Sequence, residues 1–291
     1  TSRGDSVKGT SYGQYQGGVI LPMPKVSDSN GAQWGESDLD VFSLGIAAAG
    51  QQIGGATVGG INAISNIFRG ENIGAQGFTE YFSDGSIKTK GKYYNDIPHS
   101  KWEWFDENQN KTRLINYTSG IKNGNFKVWS DDTLRLSGIY LSDKRHGAWK
   151  WYHSDKKLDS LVNYNNGELS GEYKIWYKNN ALKVSGVFTN GKRNGEWKWL
   201  SENKHLDSTK IFSLDKLDGI TNIYYKNGQL KSKRTYSMDH LDGESVSYYI
   251  SGQLESKAHY KKSKKMGPFE IWLSSGRLEA VSYPHLRAHE T

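Results

Sequence analysis

The stretch Phe188-Thr-Asn-Gly-Lys-Arg-Asn-Gly-Glu-Trp-Lys-Trp-Leu200 decides the fold. Trp197 and Trp199 stand two apart, with Lys198 between them and Glu196 before them. A strand turns successive side chains to opposite faces, so both indoles share one face and the charges take the other. Phe188 closes an earlier alternation, Leu182, Val184, Gly186, Phe188, which marks a second strand. Between the two, Thr189–Asn194 reads as a polar turn.

Working outward, the same features return every 24 residues. Leu134, Leu158, Leu182, Leu206, Leu230, Leu254 and Leu278 keep that period, as do Gly147, Gly171, Gly195, Gly219, Gly243 and Gly267. The aromatics Tyr140, Tyr164, Phe188, Phe212, Tyr236 and Tyr260 make a third class in register. Repetition at this length signals stacked supersecondary units. Within a unit, Asn227-Gly228, Ser251-Gly252 and Ser275-Gly276 supply a residue free to take positive φ in a tight hairpin. Earlier units open at Gly77, Ser100 and Gly124, giving about nine units over residues 76–283.

A lone hairpin is marginal in water, so the units must extend one another. The expected fold is all-β: an elongated, twisted, single-layer antiparallel sheet of stacked 23–24-residue hairpins, with contacts between neighbours only. Thr221 and Ser245 stand where earlier units carry the first inward aromatic, so the late units are expected to pack least well.

The segments Tyr140–Tyr152 and Phe188–Leu200, each an aromatic, a short basic turn, then Gly-x-Trp, resemble MORN-type repeats. The 24-residue spacing and Tyr225-Lys-Asn-Gly-Gln-Leu230 resemble more closely the MORN-variant branch of YwqK-type antitoxins. That resemblance implies stacked β-hairpins and a bacterial protein acting through protein or membrane contacts, with no catalytic residues to carry over. On this basis a protein partner is expected, and antitoxin-like or immunity-like binding is its sharpest form. The alternative is a scaffold on an anionic membrane surface.

The chain has 291 residues, no cysteine, five prolines and 13% aromatics. Such aromatic content argues against a disordered chain, and the missing thiols exclude disulfides and thiolate metal sites. The net charge is +7, and residues 1–75 hold four basic against six acidic residues, so the positive charge belongs to the repeats. No motif for nucleophilic catalysis, phosphate cradling or metal binding is present. His99, His146 and His240 precede unit starts but lack a ligand set. No enzyme, cofactor or metal is expected, and nucleic acid is not the expected partner.

Two surfaces are the candidates for contact. Tyr152, Trp176, Tyr177, Tyr224, Tyr225, Tyr248 and Tyr249 follow the inward pair and fall on the opposite face unless a bulge intervenes. Rows of exposed Tyr and Trp have the composition of a protein interface. Lys144, Arg145, Lys192, Arg193, Lys261, Lys262, Lys264 and Lys265 occupy equivalent positions at the turns and would form a basic rail along one edge.

Outside the repeats, residues 1–40 read as a flexible Gly/Ser/Tyr arm. Residues 41–75 read as a Gly/Ala-rich helix, either contacting membrane or capping the first sheet edge. Residues 284–291 read as an adapter-like, non-native tail. No leader is visible, and location is left open between cytoplasm and envelope.

Overall fold

The structure is a computed structural model that describes residues 26–27, 33–34 and 74–283. A two-residue pair, β1 (Val26–Ser27) with β2 (Gln33–Trp34), stands apart from the main sheet. The remaining strands form nine successive hairpins. The first three are β3 (Ala75–Tyr81) with β4 (Ile87–Tyr94), β5 (Ile97–Phe105) with β6 (Lys111–Thr118), and β7 (Ile121–Ser130) with β8 (Thr133–Leu141). The central three are β9 (Lys144–Tyr152) with β10 (Leu158–Asn165), β11 (Glu168–Trp176) with β12 (Leu182–Thr189), and β13 (Lys192–Leu200) with β14 (Leu206–Ser213). The last three are β15 (Lys216–Tyr224) with β16 (Leu230–Ser237), β17 (His240–Tyr248) with β18 (Leu254–Lys261), and β19 (Lys264–Trp272) with β20 (Leu278–Ser282).

Each strand pairs antiparallel with its sequence neighbours, from β3–β4 to β19–β20. Among the described residues no register joins β3 to β20, so this is one open 18-stranded meander with those two strands at its edges. The all-β reading and the hairpin period therefore stand. The helix expected over residues 41–75 lies outside the described residues, apart from Gly74 and Ala75, which lead into β3. The arm, save for β1 and β2, and the 284–291 tail lie outside them too.

The two ends of each hairpin turn differently. Within a unit, the amide of Tyr177 donates to the Ala181 carbonyl and that of Asn180 to the Tyr177 carbonyl, and Asn180 takes φ 64°. Between units, two residues suffice, both in the left-handed region: Asn190 at 49° and Gly191 at 76°. This is the type I′ turn, whose twist matches that of paired strands. The polar turn expected over Thr189–Asn194 is thus only Asn190-Gly191, and Lys192–Asn194 already belongs to β13. The periodic glycine that seemed to open each unit is instead a bulge inside the strand. Gly195 takes φ 72° where the β12–β13 register shifts, between Ser185↔Lys198 and Val187↔Asn194.

The strand segment before the bulge caps the next turn. Asp215 donates its amide to the Arg193 carbonyl at 2.9 Å, and its carboxylate accepts from the Arg193 amide at 3.0 Å. Asp239 and Leu217 repeat the exchange one unit on. Consecutive hairpins are therefore stitched together at this edge as well as along the ladder.

The core is built on the aromatic face. Trp102, Trp149 and Trp197 are the largest fully buried side chains. Their rings gather into three equivalent clusters. Phe78, Tyr93, Trp104 and Tyr117 surround Trp102. Phe126, Tyr140, Trp151 and Tyr164 surround Trp149. Tyr173, Phe188, Trp199 and Phe212 surround Trp197. Each cluster spans two hairpins, so the packing repeats at twice the sequence period.

The reason is volume. Each Trp lies over a glycine of the preceding strand: Trp102 on Gly91, Trp149 on Gly138, Trp197 on Gly186. In the alternating hairpins the equivalent strand pair is Ile115 with Phe126, or Val162 with Tyr173. A larger neighbour goes with a smaller ring. The fourth cluster would comprise Thr221, Tyr236, Ser245, Ser247 and Tyr260, and three of its five rings are missing. The contiguous buried cluster accordingly runs from Ile115 to Phe212, with Leu217 against its end.

Candidate interaction surface

Of the seven aromatics expected on the second face, three have another task. Tyr177, Tyr225 and Tyr249 sit in the wider turns just past their strands. Their hydroxyls donate to the carbonyls of Leu200 (3.1 Å), Tyr248 (2.8 Å) and Trp272 (2.8 Å), each at the strand end of the next unit. Lys183 and Lys231 place their ammonium groups 5.3 and 5.5 Å from the Tyr177 and Tyr225 rings. These tyrosines clamp neighbouring hairpins. Tyr152, Trp176, Tyr224 and Tyr248 are half-buried strand ends, paired with Leu158, Leu182, Leu230 and Leu254. A register shift sets each of them off from the rest of its strand, the bulge that the sequence left open.

The expected basic rail is divided. Arg145 lies with its guanidinium 4.5 Å from the Trp149 ring and 5.3 Å from that of Tyr164, and it donates to the Tyr164 hydroxyl at 3.1 Å. Arg193 is 9% exposed, lies 4.1 Å from the Phe212 ring and pairs with Asp215 at 2.9 Å. Both arginines close the ring clusters and are not free to meet a ligand. Lys265 lies 3.8 Å from the Phe269 ring, and Lys261 pairs with Asp242 at 3.0 Å. Lys144, Lys192, Lys262 and Lys264 are exposed at the short-turn edge.

The structure assembles a different basic line across the middle of the second face. Following Cα partners from strand to strand gives Lys90, Glu103, Leu114, Lys127, Ser137, Lys150, Leu161, Lys174, Ser185, Lys198 and Thr209. It continues through Asn222, Lys233, Val246, Lys257 and Glu270. From β7 to β13 every first strand contributes a lysine, the residue between its two inward apolar side chains: Phe126 and Val128, Trp149 and Trp151, Tyr173 and Ile175, Trp197 and Trp199. Lys174 and Lys198 pair with Glu172 (3.0 Å) and Glu196 (2.9 Å) on their own strands. Glu103 interrupts the line at one end. Burial opposes its ionisation, yet hydrogen bonds from Lys111 and Lys101 outweigh that and hold the carboxyl below the usual glutamate range. The Trp-Lys-Trp and Tyr-Lys-Ile triplets carried this signal in sequence, but only the register shows that the lysines align.

Two turn tips also stand out. Leu214 and Met238, in successive type I′ turns, take φ 50° and 49° while 52% and 49% exposed. The same position is Asn in three other units, Asn95, Asn166 and Asn190. A side chain with a Cβ is strained in that region, and Asn tolerates it best.

Among the described residues, no group of three or more His, Asp or Glu side chains comes together as a metal site. His99, His146 and His240 lie on separate, non-adjacent strands, β5, β9 and β17.

The hairpin from one type I′ turn to the next is also the unit seen by comparison. The family model described as MORN repeat variant matches residues 145–166, 217–238 and 241–262, the hairpins β9–β10, β15–β16 and β17–β18. Three of the nine hairpins thus match that model. No curated protein matches the chain. Two of the three matched hairpins carry Thr221 and Ser245 in place of the inward aromatic, so the match follows turns and strand pattern more than ring packing.

Proposed function

We propose that this protein is a non-catalytic MORN-variant scaffold that binds another protein. The observation that carries this reading is the pair Leu214 and Met238: apolar, half-exposed, strained in the backbone and adjacent along one edge. Strain of order 1–2 kcal/mol per residue beneath a half-exposed apolar side chain is what a binding surface retains and a purely structural turn sheds. MORN repeats commonly serve as protein- or membrane-interaction scaffolds, and the match to three hairpins supports that class. An antitoxin-like role, with a bacterial toxin as the partner, is the sharpest form of the proposal.

The second reading is an anionic membrane surface, favoured by the lysine line. A sheet that turns by roughly 20° per strand carries Lys150 and Lys198, four strands apart, through roughly 80°. A flat bilayer then meets only part of the line, which places this reading second.

The test is affinity capture from the source organism with the wild-type chain and with Leu214→Asn/Met238→Asn. The double variant should melt higher, because the strain is gone, yet lose the partner. Capture of no stoichiometric protein by the wild type, together with binding to anionic vesicles, reverses the ranking.

A further inference from the structure

We infer that the lysine line on the second face is a docking track for an acidic peptide in the polyproline II conformation, with carboxylates at every third residue. This rests on the scaffold reading above and names the chemistry of its partner.

The central track is Lys127 on β7, Lys150 on β9, Lys174 on β11 and Lys198 on β13, each reached from the last through one intervening strand. Neighbouring strands lie about 4.8 Å apart, so successive lysines are about 9.6 Å apart along the sheet axis. A polyproline II chain rises about 3.1 Å per residue with three residues per turn. Residues i, i+3 and i+6 therefore share one side at a spacing of about 9.3 Å. The two spacings agree within a few per cent. An extended β-strand does not fit as well, since residues three apart point to opposite sides. An α-helix places its one-sided i, i+7 positions about 10.5 Å apart, but with a stiff body about 10 Å across that cannot follow a twisting face.

The ground between the lysines suits such a chain. Ser137 lies between Lys127 and Lys150, and Ser185 between Lys174 and Lys198, both half-buried. A polyproline II backbone makes no internal hydrogen bonds, so its carbonyls are available to these hydroxyls. Leu161, between Lys150 and Lys174, offers an apolar contact of the kind a prolyl ring fills. Ile139 and Val187, 46% and 43% exposed, stand two residues from Ser137 and Ser185 on the same face and widen the apolar margin. The charge is complementary and carried by one row: Glu172 and Glu196 flank it on one side and already pair with two of its lysines. Solvent-accessible ion pairs of that kind are weak, so an incoming carboxylate displaces them at little cost.

The test measures fluorescence anisotropy of labelled peptides on the whole chain. One peptide repeats Glu-Pro-Pro; two controls of equal charge place Glu at every second or every fourth residue. The expected result is preferred binding of the three-residue spacing, weakening with salt. Lys150→Gln and Lys174→Gln should each lower affinity about threefold, and Glu172→Gln/Glu196→Gln should raise it about threefold, the scale of an exposed pair. Unchanged melting of these surface variants separates the effect from unfolding. Equal binding of all spacings, indifference to the lysine variants, or tighter binding of polyuridylate or phosphatidylserine vesicles overturns the inference. A chain that binds none of the peptides but keeps its captured partner also overturns it, while leaving the scaffold reading in place.

Discussion

Gly186 lies so close beneath the indole of Trp197 that a Cβ at that position would fall 2.1 Å from a ring carbon. The ring is fully buried and has no room to retreat. Gly186→Ala should therefore cost about 1–3 kcal/mol from overpacking, more than the 0.5–1 kcal/mol alanine gains over glycine in regular structure. Trp197→Ala should cost about 3–5 kcal/mol by opening a cavity. The pair Gly186→Val/Trp197→Tyr copies Val162 and Tyr173 one unit earlier. It should be more stable than the single changes sum to, by at least ~1 kcal/mol of coupling in chemical denaturation. Simple additivity would refute the volume rule.

The two-hairpin packing period makes deletions unequal. Removing Gly171–Asn194, one unit, sets Trp197 against Val162, which leaves no space for an indole. Removing Gly147–Asn194, two units, sets Trp197 over Gly138, which already accommodates one. The larger deletion should retain the higher melting temperature of the two. Removing only the first twelve residues of a unit reverses strand order and facing, and should abolish the cooperative melt.

Alkaline pH should expose Tyr173. Burial raises its phenol to about 12, with Tyr164 and Asp159 adding to the shift, while the unfolded chain titrates near 10. The folded state then holds the proton longer than the unfolded state, so stability is complete below pH ~10 and falls as pH rises to ~12, by about 2–3 kcal/mol. Among the described residues the Tyr173 hydroxyl has no hydrogen-bond partner. Tyr173→Phe, which copies Phe126 and Phe78, should be neutral or stabilising at pH 7 and should flatten this part of the alkaline profile. A loss of more than ~1 kcal/mol at pH 7 would reveal a bond that the hydroxyl needs.

Asp215 holds a buried arginine at the short-turn edge. Asp215→Ala removes its contacts to the amide and the guanidinium of Arg193. About 1–3 kcal/mol should be lost, since Arg193 is left without its carboxylate. Asp215→Asn keeps an oxygen acceptor and should lose less. Equal losses in urea titrations would mean that geometry matters less at this edge than charge.

The hairpin period, the strand faces and the internal turns were legible because each depends on neighbours in sequence. Alternation across Trp197-Lys198-Trp199 and the recurring Gly-x-Trp are local signals. Bulge and turn were confused because both use residues at positive φ. Gly195 and Gly191 look alike in a string, and only the pairing of β13 with β12 shows which one the chain turns at. The candidate surfaces fared less evenly. Tyr177, Tyr225 and Tyr249 resemble exposed interface tyrosines until the next unit brings a carbonyl to each hydroxyl. Arg145 and Arg193 share a turn with free lysines, yet their flat guanidinium groups settle on rings that arrive from 19 residues further along.

By itself the sequence determined that this chain is an array of β-hairpins, because strand alternation and turn chemistry act over two to six residues. Tertiary structure alone decided that rings pack in pairs of hairpins, that arginines are consumed in covering them, and that lysines from separate units fall into one line. Those outcomes depend on which residues stand opposite each other across strands, and register is set by bulges and turns whose summed offsets no single segment contains.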